Sequence, residues 1–184
     1  MTLPLDKLPQ HVAFIMDGNG RWASAQGWDR LKGHAEGIET VRRVIEELSE
    51  IGIPCATFFA FSTENWARPT AEVKGLFNLM RLYFKKELND IIKKGMRVRF
   101  IGDRSDARLD PDVRALMEEV EEKTAHNTKI TTVFAINYGG RDEILRAAQK
   151  LAAEGKEFTS ENLDAALDTA GLPAPDLIIR TSGE

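Results

Sequence analysis

The chain has 184 residues, 42% of them hydrophobic and 29% charged, with a formal charge of −4. That profile suits one soluble globular domain with a real core and argues against a general nucleic-acid binder, although arginines can still cluster locally. No stretch reaches the length of a transmembrane span, the opening "MTLPLDKLPQ" lacks the basic-then-apolar form of a secretory signal, and a single cysteine with three dispersed histidines argues against disulfides and zinc.

In chain order, the first predicted element is a buried strand over 11–16, "HVAFIM", which runs straight into "DGNGRW". Asp-Gly between apolar runs is a hairpin signal, but residues 22–27 show no alternation that would make a second strand. Two readings remain, an ordinary tight turn or a strand-tip loop whose backbone amides hold an anion. For the second, Gly18 and Gly20 can adopt positive φ and expose N–H groups, and Arg21 can add a two-pronged charged contact. Asp17 would repel a bare phosphate and makes sense with a divalent cation such as Mg²⁺ between them.

A helix is predicted over 34–51, with Ile38, Val41, Val44, Ile45 and Leu48 on one face. The next strand, 55–61, contains Cys55, read as core, and ends in "STENWARP". There Ser62 and Thr63 can donate hydrogen bonds, Glu64 and Asn65 can accept them, and Arg68 can bind phosphate. The plainer reading is a helix start capped by Thr63 or Thr70, with Pro69 in the first turn; it leaves Asn65, Trp66 and Arg68 without a role. Helix 71–94 has a wide apolar face that includes Leu79, Leu82 and Tyr83, either core or the wall of a tunnel for a greasy ligand. The following strand, 97–102, sets Met96, Val98 and Phe100 against Arg97 and Arg99, an edge-like alternation. Helices at 111–125, 141–154 and 160–170, the last opened by Thr159 or Ser160, alternate with strands at 130–137 and 176–180. Mostly continuous apolar strands between helices imply an α/β fold with an open, mostly parallel central sheet and helices on both faces. The chain closes on a strand and the start of a loop, so we expect residues 1–184 to be a single domain truncated at its C-terminus.

In such sheets ligands sit outside the carboxyl ends of the strands. Those ends supply arginines at 21, 68, 104, 141 and 180, with Arg30 and His34 just before the first long helix; His34 alone reads more simply as a surface residue at a helix start. No Ser–His–Asp arrangement, G-x-x-x-x-G-K-[ST] or strand-borne G-x-G-x-x-G is present. Arginines and amides without a nucleophile point to a bound polyanion, most simply diphosphate.

The segments "HVAFIMDGNGRWA", "RLKGH", "FFAFSTENWARP", "IGD", "NYGGR" and "DLIIRTSGE", in this order and spacing, closely resemble the cis-prenyltransferase family, in particular its bacterial undecaprenyl diphosphate synthases. The resemblance implies that fold with a hydrophobic tunnel, and Mg²⁺-dependent cis addition of isopentenyl diphosphate to an allylic diphosphate, typically farnesyl diphosphate. The product is a long polyprenyl diphosphate such as undecaprenyl diphosphate, a lipid-carrier precursor for cell-wall synthesis. Carried over by position, Asp17 is the catalytic, metal-holding aspartate. Gly18, Asn19, Gly20, Arg21 and Trp22 cradle the allylic diphosphate, with Arg30 and His34 beside them. Ser62, Thr63, Glu64, Trp66 and Arg68 complete the substrate site, Asn65 is the proton acceptor and Arg180 binds isopentenyl diphosphate. The resemblance further implies a cytoplasmic homodimer that meets the inner membrane face through its lipid product, with no nucleic-acid partner. Two other readings are a non-catalytic relative that binds isoprenoid diphosphates or supports a catalytic subunit, and a nucleotide-binding α/β protein. The first has no need of Asp17, and the second lacks its glycine motifs.

Overall fold

A computed structural model describes residues 8–182; residues 1–7 of the opening segment and Gly183 and Glu184 of the last motif lie outside it. Five parallel strands form one sheet: β1 (His11–Ile15), β2 (Cys55–Ser62), β3 (Met96–Ile101), β4 (Ile130–Tyr138) and β5 (Leu177–Arg180), in the order β3-β4-β2-β1-β5. The alternating strand β3 is indeed an edge. Its two faces do different work, since Val98 and Phe100 enter the main core while Arg99 reaches the carbonyls of Asp168 and Ala170 on the other side.

One face of the sheet is covered by α2 (Arg30–Ile51), α3 (Thr70–Lys93) and α4 (Pro111–Thr124). On the other, Cys55, Val133 and Ala135 lie under Phe59, Tyr138 and Leu172, near α5 (Gly140–Ala153) and α6 (Ser160–Ala166). An Arg146–Asp168 pair at 2.7 Å ties α5 to the segment after α6. Burial pushes the Cys55 thiol up to about 11, consistent with a core role. The expectation of strands covered on both faces fails at β5, where Leu177, Ile178 and Ile179 are exposed and, among the described elements, β1 is the main neighbour.

Several boundaries differ from the sequence reading, three of them at the site. The stretch after Asp17 is not an extended loop: a short helix, α1 (Asn19–Ala25), starts directly after Gly18, whose φ of 94° turns the chain out of β1. Gly20 is helical rather than at positive φ. The long helix begins at Arg30 instead of residue 34 because Asp29 caps it, accepting the Leu31 N–H at 2.8 Å. The two helices touch closely where Gly37 presents no side chain, since a Cβ there would stand 2.5 Å from Asn19 Nδ2. At the second strand tip Ser62 rather than Thr63 precedes a 3₁₀ turn (Thr63–Ala67), and Pro69 occupies the cap position of α3. The last helix stops at Ala166 instead of residue 170, and Thr159 caps it as expected.

Candidate active site

Between α2, α3 and the sheet lies a cavity of about 530 Å³, a size typical of small-molecule sites. Its interior is apolar, lined by Ile38, Val41, Leu76, Met80, Tyr83 and Phe84 among others, so the wide face of α3 is a cavity wall along part of its length. Leu82 does not contribute and faces solvent. Four phenylalanines in register across the sheet, Phe14, Phe58, Phe134 and Phe100, pack as a ladder with ring centroids 5.1, 5.6 and 5.9 Å apart. Phe84 meets this ladder edge-on at Phe100 and Phe134, 5.4 and 5.6 Å away. Tyr83, Phe84 and Phe134 also line a second, much smaller space walled further by Arg42, Glu46 and Lys94. These aromatic rings therefore form a partition between the two spaces.

The mouth of the cavity is polar. Asp17, Asn19, His34, Ser62, Glu64, Asn65, Arg68 and Arg180 all line it, which brings together residues from the tips of β1, β2 and β5 and the start of α2. Asp17 is half-exposed and paired with Arg21 at 3.1 Å and Arg180 at 3.2 Å. Partial burial raises its carboxyl, but hydrogen bonds from Arg180 and the Gly18 amide and the charge of Arg21 outweigh this and hold it below the ordinary carboxylate range. The β1 and β5 tips are also joined through Thr181, which accepts the Asp17 N–H at 2.9 Å and donates to the Asp17 carbonyl. Among the described residues no group of three acidic, histidine or cysteine side chains could hold a metal. Asp17, solvent-reachable beside Arg21 and Arg180, has the donor chemistry that suits Mg²⁺, an ion that keeps several waters and takes one or two carboxylates plus substrate phosphates.

A second carboxylate organises the other side of the mouth, and the sequence reading missed it. Glu72, in the first turn of α3, accepts hydrogen bonds from Arg30 at 3.2 and 3.3 Å and from Arg68 at 3.3 Å, with His34 Nε2 at 3.6 Å. The i, i+4 spacing from Arg68 was the available signal. Burial raises the Glu72 carboxyl, yet Arg30, Arg68 and His34 together bring it below its ordinary value. Burial and the charge of Arg68 lower the His34 pKa, with Glu72 only partly opposing them. His34 Nε2 is buried and has no hydrogen-bond partner among the described residues, so a donor or acceptor from a ligand would complete it.

Not every expected residue reaches the cavity. Gly18, Gly20, Arg21, Trp22, Arg30, Thr63 and Trp66 do not line it. Gly20 backs the Arg30 guanidinium, which a Cβ would meet at 2.7 Å. Trp22 is 47% exposed and packs edge-on against Trp28, while Trp66 packs on both Phe61 and Phe77 behind the wall. The Asn65 side-chain oxygen accepts the Ser62 N–H at 3.2 Å. Arg104 is used elsewhere, pairing with Glu121 at 2.7 Å, and Arg141 does not line the cavity.

Residues 15–184 match the family Prenyltransf, described as "Putative undecaprenyl diphosphate synthase". An isoprenyl transferase of Agrobacterium fabrum is 48% identical over 190 aligned residues, covering 100% of this chain and 76% of its own. The crystal structure of a probable undecaprenyl diphosphate synthase from Campylobacter jejuni superposes with a TM-score of 0.76 at 36% identity, covering 93% of this chain and 74% of that one. Lavandulyl diphosphate synthase from Lavandula x intermedia, in complex with dimethylallyl diphosphate, gives a TM-score of 0.89 at 29% identity, covering 96% of this chain and 78% of that one.

Proposed function

The chain belongs to the undecaprenyl diphosphate synthase family and is a prenyltransferase; on that premise we propose that it adds isopentenyl diphosphate, repeatedly and in cis, to an allylic diphosphate of the farnesyl type. The observation that carries this reading is one cavity with two chemistries, arginines and Asp17 at its mouth and hydrocarbon side chains within. An allylic diphosphate has the same division. A nucleotide would need hydrogen-bonding partners for base and ribose where Ile38, Val41, Leu76 and Met80 stand. A non-catalytic binder of the same diphosphates has no use for an acid among the head-group arginines.

In this reading Asp17 would hold Mg²⁺ on the diphosphate, and the ion would supply charge neutralisation to the departing group. The chain's own residues do the rest. Gly18, Asn19, Gly20, Arg21 and Trp22 frame the head-group site, with Arg30 and His34 at its side. Arg21, Arg30, Arg68 and Arg180 stabilise the charge that grows on the diphosphate as its bond to the allylic carbon breaks. The isopentenyl double bond attacks that carbon, and loss of one proton restores an alkene. Ser62, Glu64 and Asn65 form the wall beside this step, and Thr63 and Trp66 support them from behind. An amide is a weak base, so Asn65 orients the isopentenyl unit and the departing diphosphate is the stronger proton acceptor. The aromatic partition at Phe84 limits how far the growing chain extends. We extend the proposal to a cytoplasmic homodimer that delivers its lipid at the inner membrane face. The exposed apolar residues Ile144, Leu145 and Ile178 offer surface for such contacts.

The test is incorporation of labelled isopentenyl diphosphate into solvent-extractable lipid with farnesyl diphosphate and Mg²⁺. Label is expected in lipid, with Asp17→Ala reducing it about a hundredfold or more. A folded chain that incorporates no label would overturn the reading.

A further inference from the structure

The motif "NYGGR" contributes no residue to the cavity lining, yet it contains a buried, constrained polar residue, Asn137. Asn137, near the end of β4, is 1% exposed and holds a φ of 52°. A non-glycine residue in this left-handed region is strained and persists where its surroundings over-determine it, asparagine being among the side chains that tolerate it best.

The surroundings of Asn137 do over-determine it. Its Oδ1 accepts the Trp66 indole N–H at 2.7 Å. Its Nδ2 donates to the Asp103 carbonyl at 2.9 Å and to Asp106 Oδ2 at 3.2 Å, and its own carbonyl accepts the Asp103 N–H at 3.1 Å. Gly102 makes this approach possible, since a Cβ there would stand 1.9 Å from the Ile136 carbonyl oxygen. Asp106 is held in turn by Arg108 at 2.6 Å, and the Arg108 guanidinium lies 4.9 Å from the Trp66 ring centroid. Phe61 and Phe77 close on the indole with centroids 5.0 and 5.6 Å away. Trp66 is thus fixed through its N–H, a ring face and its packed edges. The residue before it is Asn65, whose side chain lines the cavity.

We propose that Asn137 is a positioning residue for the transfer reaction, holding the Thr63–Ala67 turn in place through the Trp66 indole and with it the Asn65 amide on the cavity wall. It rests on the prenyltransferase reading above. Asn137 touches no part of the cavity, so its loss displaces Asn65 without removing a head-group arginine; turnover falls and substrate affinity does not.

The experiment compares the full chain with Asn137→Gly, Trp66→Phe and the double variant. Glycine accepts the left-handed backbone but deletes the amide, and phenylalanine keeps an aromatic ring but deletes the N–H donor. In ¹⁵N-correlated spectra the indole resonance of Trp66, assigned by its absence in Trp66→Phe, is expected to shift in Asn137→Gly. Trp66→Phe should lose about tenfold in kcat, as expected for loss of the one buried hydrogen bond it shares with Asn137, and Asn137→Gly, which also frees Asp103 and Asp106, at least as much, with KM for both diphosphates within about threefold of the unsubstituted chain. The double variant should lose no more than Asn137→Gly alone, because the bond that Trp66→Phe removes is already broken in it. An unmoved indole resonance overturns the link between Asn137 and Trp66, whether or not the chain turns over. Unchanged kcat, a loss confined to KM, or losses that multiply in the double variant overturn the role in catalysis. If Asn137→Gly fails to fold, Trp66→Phe alone decides the kinetic question, and wild-type kcat in that variant overturns the proposal. Absence of transfer by the unsubstituted chain sinks the proposed function instead.

Discussion

His34 shows how a single residue changes meaning between sequence and structure. As the fifth residue of α2 it reads from sequence as a surface imidazole, yet it lines the cavity with its Nε2 buried, 3.6 Å from Glu72 and without a hydrogen bond among the described residues. Burial, Arg68 and Arg30 all disfavour its protonation, and Glu72 opposes them only in part. An NMR titration of His34 is therefore expected to give a midpoint below the ordinary 6.5. The unfolded chain binds this proton more readily than the folded one, so stability falls as pH drops through that ordinary value. His34→Asn should remove that part of the acid-side loss in denaturant midpoints measured across the pH range. A midpoint at or above 6.5 would mean that Glu72 dominates the site.

At the scale of elements, the mouth is built by helix starts and strand tips that meet on two carboxylates. Asp17 gathers Arg21 and Arg180, while Glu72 gathers Arg30 and Arg68 from α2 and the turn before α3. Glu72→Gln keeps the side chain's size and removes the charge that orients both guanidinium groups. The expected result is a several-fold rise in KM for the diphosphates with kcat less affected, read from initial rates. Equal KM values would show that the arginines are placed without Glu72. These elements were unevenly legible. Strands and long helices followed from continuous apolar runs and helical periodicity, with ends mostly within a few residues. The seven-residue α1 was invisible because it is too short for a period and its glycines speak for a loop. The early start of α2 was hidden because the cap Asp29 precedes a polar first turn.

At the scale of the molecule, the decisive feature is the partition made by Phe84 and the phenylalanine ladder. Phe84 is 2% exposed and separates the main cavity from the smaller space beyond. Phe84→Ala is expected to lower stability by about 3–5 kcal/mol, seen in denaturant melts, and to join the two spaces. If the partition limits product length, the variant's lipid products should be longer on reversed-phase chromatography. Products of unchanged length from a folded variant would place the limit elsewhere.

The fold class, the candidate residues at the strand ends and, through the motifs, the family were legible in the sequence, because each of these is written in local chemistry: apolar periodicity, glycine placement and the order of short polar segments. The sequence left open whether the wide face of α3 was core or tunnel, since both demand the same apolar side chains. The packed fold answers it, by leaving a cavity between α2, α3 and the sheet that no single element encloses. It likewise decided which arginines serve the mouth and which, like Arg104, bind elsewhere, and it brought Asn137 to Trp66 across 71 residues of sequence. Such contacts depend on how strands are ordered in the sheet and how helices seat on it, and residue spacing along one chain does not encode those distances.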